Sequence, residues 1–273
     1  MSGCLSYEEY QNRRRELDKH KQENFKEAAE LFDIMKKMSY AEKIEYTNRL
    51  IKDSLEVYPN IACACSFGKD STLLLYLIRQ YTPNIKVIFN NTWVEHRRTY
   101  EFRDYLVKEW NLNYHETKPN KTYWNCIKEY GYPSTSRYRK GSSTPFCCYH
   151  LKESPALKWY KANKIDAVFL GLTHDESYQR RLTLIKYGDK YSTKRHSRRL
   201  ITKIHPLAFW KSEDVWRYIK ENNVPYNKIY DLGVDRCGCV PCTAHIGWES
   251  QVNKLSKGFY TKIMRDMGRT TRI

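Results

Sequence analysis

One short loop carries a positive charge, two hydroxyls and a small residue directly after an apolar segment. Its residues are Ser66, Phe67, Gly68, Lys69, Asp70 and Ser71. Small residues let backbone N–H groups approach an anion, and a helix that starts here adds its positive end. Lys69 can bring its charge to a phosphate, while Asp70 beside phosphates indicates a metal ion or a structural hydrogen bond. The loop is therefore predicted to hold phosphates, although it lacks the Walker A spacing.

Two pairs of cysteines form a second candidate site. Cys147 and Cys148 are adjacent, and Cys239 and Cys242 follow far along the chain with Cys-x-x-Cys spacing. Thiolates in such pairs bind zinc or an iron–sulfur cluster. Adjacent side chains diverge, which is awkward for one tetrahedral zinc ion but suits the separate iron atoms of a cubane. A cluster is the favoured prediction and zinc is the alternative.

The remaining cysteines have different predicted roles. Cys237 lies two positions before the second pair and is either an alternative ligand or a reactive thiol. Cys63 and Cys65 alternate in an apolar segment and are predicted to be small core residues. Cys4 and Cys126 have no evident partner. Nine cysteines in a chain that otherwise reads as cytoplasmic favour metal, cluster or redox chemistry over disulfides.

The elements that position these residues alternate between short apolar runs and amphipathic helices. This alternation predicts an α/β fold with a Rossmann-like parallel sheet, in which ligands lie beyond the carboxyl ends of the strands. Each candidate segment follows such an end. The predicted strands are 61–65, 85–89, 113–117 and 167–171, and the predicted helices are 70–81, 97–110 and about 150–162.

The rest of the chain reads as helical or basic. Residues 6–58 are predicted to be amphipathic helices, 184–206 a β-ribbon or basic loop, and 211–222 a helix capped by Ser212. The predicted domains are an N-terminal helical segment at 1–58, a nucleotide-binding α/β domain at 59–210, and a C-terminal helical and Cys-rich segment at 211–273 that completes the cluster site.

The charge of the chain predicts a polyanionic partner. The net charge is +17 over 273 residues, and much of it lies between Gln179 and Lys203. This stretch is predicted to bind nucleic acid or a phosphorylated nucleotide, with a solvated basic loop as the alternative. No apolar run is long enough to cross a bilayer, and the polar start contains no signal peptide, so a cytoplasmic protein with no membrane partner is expected.

Several motifs resemble one known family. The loop resembles the pyrophosphate loop of the adenine nucleotide alpha-hydrolase (PP-loop) superfamily, usually Ser-Gly-Gly-Lys-Asp-Ser, with Phe67 in place of the first Gly. From about 60 to 245 the chain resembles the phosphoadenosine phosphosulfate reductase family. The resemblance implies that superfamily's Rossmann-like fold, a nucleotide bound by the loop, and a [4Fe–4S] cluster on Cys147, Cys148, Cys239 and Cys242. The other residues that it implies for nucleotide binding are Asn91, Thr92, Gly171, Glu176 and Arg180.

The resemblance leaves the reaction open. Family reductases use a Cys in a C-terminal Glu-Cys-Gly-Leu-His tail and tend to have a degenerate loop, whereas this chain has no Cys after Cys242 and an intact loop. Both departures favour the relatives that hydrolyse ATP to AMP and pyrophosphate, such as the cluster-bearing enzymes of DNA phosphorothioation. Lys69 would then stabilise the departing pyrophosphate, Asp70 would help place Mg²⁺, and Cys237 would carry sulfur.

Two alternatives remain at this point. A [4Fe–4S] phosphoadenosine phosphosulfate reductase would release sulfite, with Cys237 as its nucleophile beside Arg236. A nucleotide-sensing or cluster-sensing subunit would show no turnover. The expected partners are an adenine nucleotide, a nucleic acid, a sulfur donor such as a cysteine desulfurase or a thiol reductant, and a second copy in a homodimer.

Overall fold

A six-stranded sheet organises the fold, which has the predicted α/β class. The computed structural model describes residues 4–19, 25–134, 145–193 and 201–269. The strand order is β3-β2-β1-β4-β6-β5, with β1, β4 and β6 parallel and β5 antiparallel to β6. The strands are β1 Ile61–Ala64, β2 Lys86–Asn90, β3 Asn113–Thr117, β4 Ala167–Leu170, β5 Lys190–Thr193 and β6 Ile201–Ile204.

Helices connect the strands and extend both ends of the chain. None of the helices in the described ranges is long and apolar enough to cross a membrane. A π-helical turn, Tyr149–Glu153, joins α7 to α8, and a 3₁₀ helix covers Lys228–Leu232. The helices are α1 Tyr7–Lys19, α2 Phe25–Met35, α3 Tyr40–Val57, α4 Lys69–Arg79, α5 Arg97–Glu109, α6 Tyr123–Tyr130, α7 Phe146–Cys148, α8 Ser154–Ala162, α9 Tyr178–Tyr187, α10 Ser212–Glu221, α11 Trp248–Leu255 and α12 Lys257–Asp266.

The chain divides into two compact units, which we describe separately. The first unit comprises Met1–Cys65, Lys69–Val87 and Lys164–Pro225. The second unit comprises Ser66–Gly68, Ile88–Asn163 and Tyr226–Ile273. The domain boundaries drawn from the sequence at 58 and 210 stay predictions.

An aromatic cluster joins the N-terminal helices to the rest of the first unit. The Phe209 ring lies 5.4 Å from Tyr10, 5.6 Å from Phe32 and 5.5 Å from Tyr46, measured between ring centroids. All four side chains are buried. Aromatic side chains bury large apolar areas and gain further from edge-to-face contacts. The helices predicted within 6–58 are therefore packed on the unit that contains β1 and β4.

The structure corrects three details of the predicted elements. Residues Tyr178–Tyr187 are helical, although a ribbon or loop was predicted from 184 onward; β5 and β6 do form an antiparallel ribbon. The helix predicted from about 150 begins as a π-helical turn. Ser212 is the first helical residue of α10 and not its cap, because the Lys211 N–H before it donates to Asp214 Oδ2 at 2.8 Å.

We predict that Thr47→Val destabilises the first unit. The Thr47 hydroxyl accepts from the buried Trp210 indole at 2.9 Å and donates to the Pro206 carbonyl at 2.8 Å. Valine keeps the shape but leaves both buried groups unpaired, which costs about 1–3 kcal/mol for each. Urea unfolding measures the loss. Thr47→Ser keeps the hydroxyl and is the control; equal loss in both variants would contradict this account.

Candidate functional site

We call the segment 66–71 the nucleotide loop. Its first half, 66–68, lies in the second unit and has an unusual backbone. Phe67 has a φ of 56°, in the left-handed region that favours glycine. Its ring is completely buried and lies 5.4 Å from the Phe89 ring. The left-handed conformation costs about 1–2 kcal/mol for a residue with a Cβ, and burial of a Phe side chain contributes about as much or more. Phe67 therefore has a backbone that glycine adopts more easily than any other residue.

The second half of the loop begins α4 in the first unit. Lys69 is buried, and its Nζ lies 2.7 Å from Asp70 Oδ1. The Cys65 thiol donates to the Ser71 hydroxyl at 3.7 Å. The first N–H groups of a helix have no acceptor within the helix, so they can bind an anion. Of the two sequence readings of Asp70, this structure contains the hydrogen bond, and the metal role stays a prediction.

Gly171 packs directly on the start of α4. A Cβ built on Gly171 would lie 2.9 Å from both the Cα and the N of Ser71, closer than real Cβ atoms approach. The strands explain this contact, because β1 and β4 are parallel neighbours with Ala64 opposite Leu170. Gly171 is therefore required for the backbone of the β4–α9 loop to lie against the nucleotide loop.

The other residues predicted to bind nucleotide are held by protein partners. Glu176 and Arg180 form an ion pair one helical turn apart. Asn91 donates to Glu116 at 3.0 Å and accepts from the Trp93 N–H at 2.9 Å. These contacts orient the side chains, and their nucleotide-binding roles stay predictions.

Both cysteine pairs line one small cavity in the second unit. Cys147, Cys148, Cys239 and Cys242 meet around a space of about 60 Å³. The other polar residues of its wall are Tyr123, Lys152, Arg236, His245 and Gln251. None of them was predicted to be a ligand, and Arg236 was named only as a neighbour of Cys237.

The buried thiols of this cavity would be stabilised as thiolates by a positively charged group. Burial raises the pKa of Cys239 to about 12, so its thiolate needs a compensating charge. A hydrogen bond from Cys147 lowers the pKa of Cys148 to about 7 and raises that of Cys147. The negative charge of Cys239 raises the pKa of Lys152 above its ordinary value. Burial lowers the pKa of His245 to about 4, which keeps the imidazole neutral.

The two sequence predictions for this site, a cluster and a zinc ion, require different arrangements of the four sulfurs. Within the described ranges, no three His, Cys, Asp or Glu side chains converge closely enough for one ion. A tetrahedral zinc holds every sulfur about 2.3 Å from one point, whereas a cubane takes each thiolate on a separate iron atom. These four thiols are the residues that would hold a [4Fe–4S] cluster, and this role stays a prediction. The Cys239 thiol donates to the Thr92 hydroxyl at 3.4 Å.

Cys237 lies against the first half of the nucleotide loop. Its sulfur is 3.9 Å from the Ser66 carbonyl oxygen and 3.3 Å from the Thr99 hydroxyl. A Cβ on Gly68 would lie 3.2 Å from the Cys237 Cβ. Asn227 Nδ2 donates to the Phe67 carbonyl at 3.1 Å and lies 3.7 Å from the Cys237 sulfur.

Thr99 and Asn227 were missed as site residues. Both belong to segments in which the sequence resembles the family, so that match was the available signal. Their hydrogen bonds hold the Cys237 thiol beside the loop. Cys63 and Cys65 are buried, as predicted for core residues. Of the basic stretch, Lys194, Arg195, Arg198 and Arg199 lie outside the described residues.

Comparison with known proteins gives consistent matches. Residues 60–245 match the family model described as phosphoadenosine phosphosulfate reductase domain. An adenosine 5′-phosphosulfate reductase of Oceanobacillus iheyensis is 31% identical over 202 residues, covering 73% of this chain and 78% of that protein.

Two solved structures share the fold. A phosphoadenylyl-sulfate reductase from Candida auris, in a phosphate complex, has a TM-score of 0.54 and 22% identity, covering 71% of this chain and 87% of that one. A U34-tRNA thiolase from Methanococcus maripaludis, with its [4Fe–4S] cluster, has a TM-score of 0.50 and 19% identity, covering 83% and 78%. At these identities the two structures establish the fold alone.

We predict that Gly171→Ala weakens nucleotide binding about tenfold or more, equivalent to about 1.4 kcal/mol. The new Cβ would displace the backbone at Ser71, because it would lie 2.9 Å from that backbone. Calorimetric titration with a non-hydrolysable ATP analogue and with adenosine 5′-phosphosulfate measures the affinity. Gly258→Ala is the control, since a Cβ there would come no closer than 4.0 Å to the Ser256 hydroxyl. Unchanged affinity in Gly171→Ala would refute the packing argument.

We predict that Cys239→Ser loses most of its iron and sulfide after anaerobic reconstitution. A hydroxyl is a poor substitute for a thiolate on iron, and the other three cysteines would hold an incomplete set. Metal analysis and visible absorbance measure the loss. Cys4→Ser is the control, because the Cys4 thiol donates to the Ile34 carbonyl in the first unit. Zinc without visible absorbance in the parent protein would show that the site is not a cluster site.

Proposed function

Because the chain belongs to the phosphoadenosine phosphosulfate reductase family, we propose that it is an ATP pyrophosphatase that activates a nucleic-acid oxygen for replacement by sulfur. The reaction would convert ATP to AMP and pyrophosphate, as in DNA phosphorothioation. The nucleotide loop is the observation that carries this proposal.

The loop has the features that a pyrophosphate group requires. Phe67 has a left-handed backbone at the position where the superfamily's loop usually has glycine, and Gly68 follows without a side chain. Lys69 supplies a buried ammonium in the first turn of α4, where backbone N–H groups also face an anion. A sulfonucleotide carries a single sulfate beyond its α-phosphate, so it would fill only part of this site, whereas ATP offers both a β- and a γ-phosphate. The loop therefore favours ATP.

In the first step an oxygen of the acceptor would attack the α-phosphorus of ATP. The bond from the α-phosphorus to the bridging oxygen breaks, and pyrophosphate leaves with the electron pair. Lys69 and the N–H groups of the loop stabilise the charge that develops on the leaving group. Asp70 is the candidate protein ligand for the Mg²⁺ that accompanies ATP.

In the second step sulfur would displace the adenylated oxygen, which leaves as part of AMP. A [4Fe–4S] cluster bound by the two cysteine pairs would supply a site for the incoming sulfur. Cys237 lies beside the loop and would carry the sulfur as the outer atom of a persulfide from a cysteine desulfurase. That outer sulfur would attack the adenylated centre as AMP leaves with the oxygen, and two thiols of a reductant would then break the S–S bond, which frees the Cys237 thiol and forms a disulfide of the reductant. Thr99 and Asn227 orient its thiol.

Sulfonucleotide reduction is the second candidate, and the position of Cys237 favours it. The Cys237 thiolate would attack the sulfate sulfur, and the bond from sulfur to the phosphate oxygen would break. The nucleotide leaves with the electron pair, and a thiol reductant then releases sulfite from the S-sulfocysteine. The family relative from Oceanobacillus iheyensis, named as an adenosine 5′-phosphosulfate reductase, supports this candidate.

Product analysis separates the two candidates. Anaerobically purified protein is incubated with Mg-ATP and, separately, with adenosine 5′-phosphosulfate or phosphoadenosine phosphosulfate plus a thiol reductant. Because no acceptor is present, water takes the place of the attacking oxygen, and we expect AMP and pyrophosphate from ATP with both sulfonucleotides unchanged. Sulfite release with ATP unchanged would overturn the proposal in favour of the reductase. Turnover of none of the three would favour a sensing subunit.

Two variants sharpen this experiment. Lys69→Ala removes the ammonium ion of the loop and should abolish turnover in either case. Cys237→Ser should leave pyrophosphate release intact under the proposed function, because the thiol acts only after adenylation. Complete loss of sulfite release in Cys237→Ser with full iron content would instead identify Cys237 as the nucleophile of a reductase. The cytoplasmic location and the homodimer stay predictions.

A further inference from the structure

We propose that a basic pocket in the first unit binds a single-stranded segment of the nucleic-acid acceptor, with one base stacked on Tyr178. The inference deepens the proposed function, because it names the form of acceptor and where it docks. The pocket has a volume of about 840 Å³. Its wall includes five cations and one aromatic side chain, which are Lys36, Lys37, Lys43, Arg181, Lys211 and Tyr178.

Cations outnumber carboxylates in and around this pocket, and the carboxylates are already bonded. Asp33 accepts from Lys36 at 2.7 Å, and this hydrogen bond holds the pKa of Asp33 below its usual value. Lys43, which is buried, pairs with Asp214 at 2.6 Å. Asp175 accepts from a hydroxyl at 3.1 Å and from a backbone N–H at 2.7 Å. Asp33 and Asp214 therefore neutralise lysines, whereas Asp175 keeps its negative charge, and the cations of the pocket still outnumber the carboxylates.

Three exposed cations remain at the rim of the pocket. They are Lys37 at the end of α2, Arg181 in α9 and Lys211 before α10. Arg181 lies 3.9 Å from Asp33, at the outer limit of an ion pair. Three cations from separate segments around one concave surface provide contacts for successive phosphates of a backbone.

Tyr178 favours a nucleic acid over another polyanion. Its side chain is 71% exposed, although a tyrosine usually buries much of its ring. An exposed aromatic ring among cations is the combination that binds single strands, because the ring stacks on a base while the cations hold phosphates. An acidic peptide would use the cations and leave the ring without a partner. A double helix would present no free base face to it.

One loop connects this pocket to the nucleotide loop. Gly171 packs on the backbone of Ser71, and the same connection continues to Asp175, Ser177 and Tyr178 in the wall of the pocket. The Ser177 hydroxyl caps α9 by accepting from the Arg180 N–H at 3.3 Å. The cap fixes the direction in which α9 leaves the loop. The segment 171–178 therefore contacts the start of α4 at one end and lines the proposed nucleic-acid pocket at the other.

Charge reversal tests the phosphate contacts. Fluorescence anisotropy of a labelled single-stranded oligonucleotide, as DNA and as RNA, is measured with the full chain at several salt concentrations without ATP. The triple variant Lys37→Glu, Arg181→Glu, Lys211→Glu should bind about tenfold or more weakly, and its salt slope should fall by about three. The control triple variant Lys108→Glu, Lys161→Glu, Lys257→Glu makes the same change in net charge at exposed lysines elsewhere. Equal weakening in both triple variants would overturn the proposal.

Further arms test the base and the class of ligand. Tyr178→Ala should weaken binding about tenfold, whereas Tyr178→Phe, which keeps the ring, should bind like the parent. Loss of affinity in the triple variant without any loss in Tyr178→Ala would overturn the base-stacking site. Competition by polyglutamate as effective as that by an unlabelled oligonucleotide of equal charge would overturn the assignment to nucleic acid. Melting temperatures of all variants report their folding.

Lys69→Ala separates this inference from the proposed function. That variant should lose ATP cleavage yet bind the oligonucleotide with the parent's affinity, because Lys69 is not part of the pocket. If the parent protein fails to cleave ATP but binds the oligonucleotide through the pocket, the proposed function fails and the docking site stands. If cleavage occurs and the pocket variants bind normally, the docking site fails alone.

Discussion

The candidate nucleotide site depends on a contact in which two stretches of backbone meet without a side chain between them. The parallel strands β1 and β4 end side by side, with Ala64 opposite Leu170. Gly171 then lies so close to the backbone of Ser71 that no Cβ fits. Because Ser71 is in the first turn of α4, the same contact sets the position of the N–H groups that would face an anion.

The same loop depends in the second unit on a strained residue held by packing. Phe67 has a positive φ, which is unfavourable for a residue with a Cβ. Its buried ring and the Asn227 side chain, which bonds to its carbonyl oxygen, hold it in that conformation. Asn227 also lies beside Cys237, so one amide connects the loop conformation to the position of the thiol. A backbone of this kind is stable only where its surroundings determine it.

Desolvation dominates the chemistry of the cysteine cavity. Burial makes the Cys239 thiolate costly, as its raised pKa shows, and only Lys152 and Arg236 bring positive charge to the wall of that cavity within the described chain. A cationic cluster would offset this cost and would bind all four sulfurs. The nucleotide loop offers positive charge and N–H groups to an anion. In both candidate sites, positive charge from the chain would offset a negative group, either the thiolates of the cavity or the phosphates at the loop.

The sequence alone predicted whatever depends on local pattern. Small residues and Lys69 predicted a phosphate-binding loop, the alternation of apolar runs correctly predicted the α/β sheet, and the spacing of Cys239 and Cys242 predicted a metal site. The prediction from local pattern was wrong at the end of α9, where the run of basic residues was interpreted as a ribbon or loop. It failed again at Ser212, because the Lys211 N–H is capped by Asp214 instead.

The tertiary structure decided what depends on contacts between residues distant in sequence. Only packing brings Cys147 to Cys239 around one cavity and the Cys237 thiol to the nucleotide loop. The basic pocket is formed in the same way, since Lys37 and Lys211, which are far apart in sequence, both line it. Residue type and short-range spacing can be read directly from the sequence. The distance between side chains that are far apart in sequence depends instead on how the segments pack to bury apolar surface, because no single segment can bury that surface alone.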